Sequence, residues 1–181
     1  DEIDRENQII EDLLMLVKMD KTAEDQMNIE QVNINGELEL ILKRLRPIAK
    51  RGNVELILES IREVTADVDK VKISLAITNL VENAIRYNKE GGAVRVSAEE
   101  RADTVEILVQ DTGSGIPEAD RETIFQPVFR VDKSRSRAYG GVGLGLTLVR
   151  KIVELHGGTI RIAKSDAQGT TFAVTLPVHA A

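Results

Sequence analysis

The chain has 181 residues, a net charge of −6 and 42% hydrophobic residues, enough for one packed domain with a short appendage and too apolar for wholesale disorder. It contains no Cys, which excludes disulfides, thiolate metal sites and a Cys nucleophile. No apolar run approaches the roughly 18 residues of a membrane span, and the acidic balance argues against general nucleic-acid binding.

Residues 1–30 are the acidic part, with ten acids against three bases. Within them Ile3, Ile10, Leu13, Leu14 and Val17 follow the a/d/e spacing of a bundle or coiled-coil helix, which predicts a helix over 1–19 that needs partners to cover its stripe. A helix folded back on its own domain would show the same pattern. The polar stretch that follows reads as a linker. The expected division is a helical segment 1–22, a linker 23–33 and a domain 34–181. Asp1 is not Met, so the chain is expected to be part of a longer protein.

In the domain, Leu38, Ile41, Leu42 and Leu45 share one face of a helix expected over 35–51. Strands are expected at 54–58 and 64–66. A strong helix runs from Asp69, a natural N-cap, to Tyr87. Residues 93–99 and 104–110 alternate as paired strands around a polar turn. Residues 111–117 (DTGSGIP) are a loop, and 118–124 form one or two helical turns. Residues 126–142 are long, polar and Arg-rich, the profile of a mobile segment. Gly143–Leu155 is a helix stopped by Gly157–Gly158, and 159–163 with 170–176 close the chain as a hairpin. The expected fold is α/β: a two-layer sandwich of a mixed sheet of about five strands with three helices on one face, plus the N-terminal helix.

Several chemistries are absent. There is no GxxxxGK(S/T) phosphate loop, no GxGxxG after a first strand and no Ser in a nucleophile elbow. His156 and His179 are the only histidines, too few for a His-rich metal cluster. Three segments remain. Asn79 and Asn83 lie four residues apart on one helical face, with Glu82 one position away. Amide oxygens are hard ligands suited to Mg2+, although a solvated helix face would also tolerate two Asn. Asp111-Thr-Gly-Ser-Gly115 follows a strand directly. A carboxylate there, with glycines that let backbone approach a ligand, can read the exocyclic amino group of adenine where guanine presents an acceptor. A plain strand-ending turn fits equally well. Gly140-Gly-Val-Gly-Leu-Gly-Leu146 leads into a helix, where crowded N–H groups and the helix dipole favour a phosphate chain.

Together these segments resemble the histidine kinase ATPase domain of the gyrase, heat-shock chaperone, kinase and MutL superfamily, over about residues 34–177. Asn79–Tyr87 resembles the N box, DTGSGIP the first G box, Ile124–Arg130 the F box, GGVGLGL the second G box and Gly169–Phe172 the third. The resemblance implies the Bergerat-type form of the sandwich and the cofactors ATP and Mg2+. It implies Mg2+ held by Asn83 with Asn79, and adenine bound by Asp111 and Thr170 in a loop shaped by Gly113, Gly115 and Ile116. Phosphates would meet Gly141, Val142, Gly143, Leu144, Gly145 and Leu146. Arg86, Arg130, Lys133 and Arg137 would touch phosphate or a lid, though each also reads as a surface cation; Tyr87 would line the site or pack beside it. Glu82, with Asn79, would serve the transfer itself. Pro127 and Val128 depart from the usual lid pattern, and Asn88 stands where Thr or Ser is frequent.

The resemblance further implies a protein-histidine kinase. Its partners would be histidine-bearing dimerisation helices of the same kinase, as a homodimer, and a response-regulator receiver domain, with no nucleic acid. Residues 1–19 resemble the end of the second bundle helix, which would put the acceptor histidine upstream, in the cytoplasmic portion of a membrane-anchored bacterial protein. His156, at a helix end, reads as structural, where the helix dipole would favour its cation. The rival readings are an ATP-gated clamp of the gyrase or chaperone kind and a non-catalytic nucleotide-binding module.

Overall fold

In a computed structural model the described residues are Ile10, 27–60, 62–126 and 144–179. The N-terminal helix expected over 1–19 therefore lies outside the described residues except for Ile10, which is helical and exposed. The Arg-rich segment lies outside them from residue 127 to its expected end at 142.

The elements run β1 (Ile29–Asn33), α1 (Ile34–Arg51), β2 (Glu55–Leu58), β3 (Thr65–Asp69), α2 (Lys70–Arg86), β4 (Ala93–Arg101) and β5 (Thr104–Asp111). Two short 3-10 turns follow, Glu118–Asp120 and Thr123–Phe125, then α3 (Leu144–Leu155), β6 (Thr159–Asp166) and β7 (Gly169–Pro177). A mixed five-stranded sheet has the order β2-β4-β5-β7-β6. Its β2–β4 pair is parallel and the others are antiparallel.

Alternation places Leu56, Val94, Val96, Val105, Ile107, Val109, Val174 and Leu176 on the inner face, all buried. Against it pack Leu38, Ile41, Leu42 and Leu45 of α1, Ile73, Ile77, Leu80 and Val81 of α2, and Leu148, Val149, Ile152 and Val153 of α3. The outer face is polar, with Glu106 between Arg101 and Arg161. This is the two-layer α/β sandwich with helices on one face that the periodicities predict.

One assignment changes. Residues 29–33, read as linker, form β1, which pairs antiparallel with β3 in a separate two-stranded sheet, from Ile29 opposite Asp69 to Asn33 opposite Thr65. Only Val32 of β1 is buried, so the segment carries no alternation to reveal it. Its strand state comes from the partner. Asn33 ends β1 and caps α1, its side chain accepting the Gly36 N–H at 3.1 Å.

Asp69 caps α2 as its position predicts. Oδ1 accepts the Lys72 N–H, and Oδ2 accepts the Asn28 N–H and the Lys72 ammonium. Burial raises the pKa of this carboxyl, but those N–H donors and the Lys72 charge outweigh it and hold the group below the usual carboxylate range. His156 then joins α3 to α2. Its Nδ1 meets the Ile152 carbonyl at 2.7 Å and must donate, so Nε2 is bare and accepts the Asp69 N–H at 3.0 Å. The ring is thus held neutral, and burial lowers its pKa. His156 is structural, but as a neutral acceptor and not as a cation on the helix dipole.

Candidate functional site

The last two turns of α2, the end of β5, the following loop, the start of α3 and strand β7 enclose one cleft. About 610 Å³ of atom-free space, open to solvent, is lined by Asn83, Ala84, Tyr87, Asp111, Ser114, Gly115, Ile116, Ile124, Leu146, Thr170 and Phe172. The walls are mixed, with apolar Ile116, Ile124, Leu146 and Phe172 facing a few polar groups, as in sites for flat organic ligands. Phe125 backs the apolar side, edge-on to Phe172 at 6.2 Å between centroids, and its carbonyl accepts the Thr147 hydroxyl at 2.8 Å.

Asp111 is the buried acid of the cleft, 8% exposed. It sits there because β5 alternation turns its side chain inward after Val105, Ile107 and Val109. Oδ1 accepts the N–H groups of Gly113 at 2.9 Å and Thr170 at 3.1 Å. Among the described residues nothing binds Oδ2. Burial pushes the carboxyl above its ordinary value, against the lowering effect of those two N–H groups. A further acceptor facing a confined cleft suits a ligand with an N–H donor.

The loop after β5 is held by close approach. A Cβ on Gly113 would strike the Tyr87 carbonyl, and one on Gly115, at φ +84°, would strike the Asp166 backbone. Asn88, at the end of α2, donates to the Ala93 carbonyl at 2.8 Å and accepts the Thr112 hydroxyl at 2.8 Å, while Thr112 accepts the Ala93 N–H at 2.9 Å. The Asn at this position therefore ties α2, β4 and the loop together. Across the loop, Arg121 donates to the carbonyls of Ile116 at 3.3 Å and Ser165 at 2.9 Å.

The predicted residues divide into groups. Asn83, Tyr87, Asp111, Gly115, Ile116, Leu146 and Thr170 line the cleft, with Gly113 directly behind it. Asn79 is 6% exposed, and its Nδ2 has no hydrogen-bond partner among the described residues. A Cβ on Gly145, in the first turn of α3, would stand 3.8 Å from its Oδ1. Glu82 is half-buried and Arg86 exposed on α2, and neither lines the cleft. Leu144 begins α3. Arg130, Lys133, Arg137, Gly141, Val142 and Gly143 lie outside the described residues.

Ser114, Ile124 and Phe172 line the cleft from within the segments the resemblance names, although no role was read for them individually. Thr112, Arg121 and Ser165 carry no motif of their own, and each makes a bond that joins elements distant in sequence, to Ala93, Ser165 and Ile116 respectively.

A hard divalent cation fits this donor set. Among the described residues no three His, Cys, Asp or Glu side chains cluster. The polar end of the cleft instead offers the Asn83 amide oxygen, with the Asn79 side chain one turn away on the same face. Mg2+ is commonly held in this way, by few protein oxygens completed by phosphate and water.

A family profile described as histidine kinase-, DNA gyrase B-, and HSP90-like ATPase matches residues 68–180. The sensor histidine kinase WalK of Bacillus subtilis is 37% identical over 97% of this chain and 29% of its own length. The sensor protein IrlS of Burkholderia pseudomallei is 34% identical over the whole chain and 38% of its own. The chain thus spans about a third of the curated relatives it matches. Among solved structures, the catalytic domain of histidine kinase ThkA superposes with a TM-score of 0.74 at 28% identity, covering 84% of this chain and 97% of that one.

Proposed function

The chain belongs to the histidine kinase-, DNA gyrase B- and HSP90-like ATPase family, and from that premise we propose that it binds ATP with Mg2+ and delivers the γ-phosphate to a histidine on dimerisation helices of its own kinase, for relay to a response-regulator receiver domain. The observation that supports this reading is the convergence of Asp111, Thr170 and Asn83 on one cleft. An adenine amino group would donate to Asp111, and Ile116, Ile124, Leu146 and Phe172 would exclude water around the base.

The phosphates would extend toward Asn83 and the start of α3, where the helix dipole favours anions. Asn83, with Asn79 behind it, would hold Mg2+, which when bound neutralises phosphate charge. Asn79 stands where a hydrolysing relative would carry Glu, and an amide takes no proton from water near neutral pH. Glu82 is the acid left to orient an incoming histidine. Catalysis in this scheme is positioning and charge neutralisation. In the full-length protein, a membrane-anchored homodimer, this domain works on the cytoplasmic side.

The chain is incubated with γ-labelled ATP and Mg2+, with and without a separately produced helical hairpin carrying the acceptor histidine. Acid-labile, base-stable label should appear on the hairpin, and not on His156 or His179. It should vanish with chelator and in Asn83→Ala. Phosphate release of order 1 per second without the hairpin, and no label on it, would replace this reading by the ATP-gated clamp.

A further inference from the structure

Thr170 lines the cleft and is only 4% exposed, and its hydroxyl is hydrogen-bonded to a residue outside the cleft wall. Ser165 Oγ lies 2.9 Å from Thr170 Oγ1 and accepts the Ile116 N–H at 2.8 Å. Arg121 clamps the Ile116 and Ser165 carbonyls from outside, so the spacing is fixed from two sides.

A hydroxyl carries one proton and two lone pairs. One lone pair of Ser165 is taken by Ile116, and among the described residues its proton has one acceptor in reach, Thr170 Oγ1. If Thr170 donated instead, the Ser165 proton would have no protein partner. Buried polar hydrogens are rarely left so. Ser165 therefore donates to Thr170, and the Thr170 proton is left over at the cleft wall. Beside it, Asp111 Oδ1 accepts both the Gly113 and Thr170 N–H groups, which leaves Oδ2 as acceptor. The wall thus presents an acceptor next to a donor. The Watson–Crick edge of adenine presents the complement, an amino donor beside the acceptor N1, and guanine presents the reverse.

We propose that Ser165 is a positioning residue that fixes the Thr170 hydroxyl as a donor toward N1 of adenine, and so sharpens selection for adenine over guanine. The proposal rests on the nucleotide reading above and adds to it a determinant outside the cleft wall. Without Ser165 the Thr170 hydroxyl is free to turn and its proton is no longer held toward the cleft, so a purine with N–H at position 1 is rejected less.

The test is calorimetric binding of Mg2+ complexes of ADP, GDP and 1-deaza-ADP, which has C–H in place of N1. In the wild type, losing the N1 acceptor should weaken binding about tenfold. In Ser165→Ala that factor should shrink to about twofold or less, with discrimination against GDP falling alongside, while Ser165→Thr keeps both. Thr170→Val, which removes the hydroxyl at nearly constant shape, should show the same small factor and serves if Ser165→Ala folds poorly. A purely structural role for Ser165 would weaken all three ligands equally and leave the 1-deaza factor intact, which overturns the proposal. Wild-type indifference to the 1-deaza change overturns it too, while discrimination against GDP would still support the Asp111 site. A wild type that binds no ADP removes the nucleotide reading itself.

Discussion

At the residue scale, His156 couples acidity to the helix that carries Asn79 and Asn83. Its neutral ring accepts the Asp69 N–H at the start of α2. Burial lowers its pKa below the ordinary 6.5, reinforced by the Lys72 charge and opposed by the Ile152 carbonyl and the Asp69 carboxylate. With the folded value depressed, the unfolded chain takes up its proton first as pH falls. The contribution of His156 is therefore complete above about 6.5 and is lost progressively below it. Urea midpoints should fall as pH is lowered from about 7 to about 5.5. In His156→Gln, which keeps a polar side chain without titrating, this limb should flatten at a lower baseline. An unchanged slope in that variant would assign the acid sensitivity elsewhere.

At the scale of elements, the loop after β5 works because two neighbours touch its backbone. Gly113 lies against the Tyr87 carbonyl at the end of α2, so a methyl group there must push the loop off the helix. Both the Gly113 bond to Asp111 and the cleft shape depend on that contact. Gly113→Ala should lower stability by about 1–3 kcal/mol and weaken ADP binding at least tenfold, read by urea denaturation and calorimetry. Gly36→Ala is the matched control. In the first turn of α1 its new methyl would meet nothing closer than 3.7 Å, and Ala is the better helix former, so stability should hold or rise. Equal losses in the two variants would mean that generic glycine effects, and not the Tyr87 contact, set the outcome.

At the scale of the whole molecule, α2 packs on α1, on α3 and on the sheet, and the cleft opens where α2, α3, β5 and β7 meet. A nucleotide there touches most of the layers at once, and a ligand that binds only the folded chain stabilises all of it. Mg2+ with ADP at about 100 times its dissociation constant should raise stability by roughly 2.7 kcal/mol, seen as a higher unfolding midpoint. Asp111→Ala should lose most of this gain while remaining folded. The same midpoint shift in that variant would place the base elsewhere.

Much of this molecule was legible in one dimension because its rules are local. Helix faces such as Leu38–Ile41–Leu42–Leu45, the Asp69 cap and the alternation of β4, β5 and β7 each depend on neighbours within a few residues. The order of the glycine and asparagine segments likewise carried the family resemblance without any contact between them. What only the tertiary structure decided depends on pairs distant in sequence. β1 became a strand because β3 lies beside it, and β2 joined the sheet parallel to β4. Asn79 and Asn83, equivalent by spacing, separated into a buried amide against α3 and an amide on the cleft once α3 had covered one turn of α2. Ser165 reads as an ordinary strand serine until the loop arrives 49 residues away in sequence and gives its hydroxyl a donor. Periodicity reports which side of an element turns inward; only packing decides what waits there, because hydrogen bonds and close contacts act over a few ångströms of space regardless of the length of chain between them.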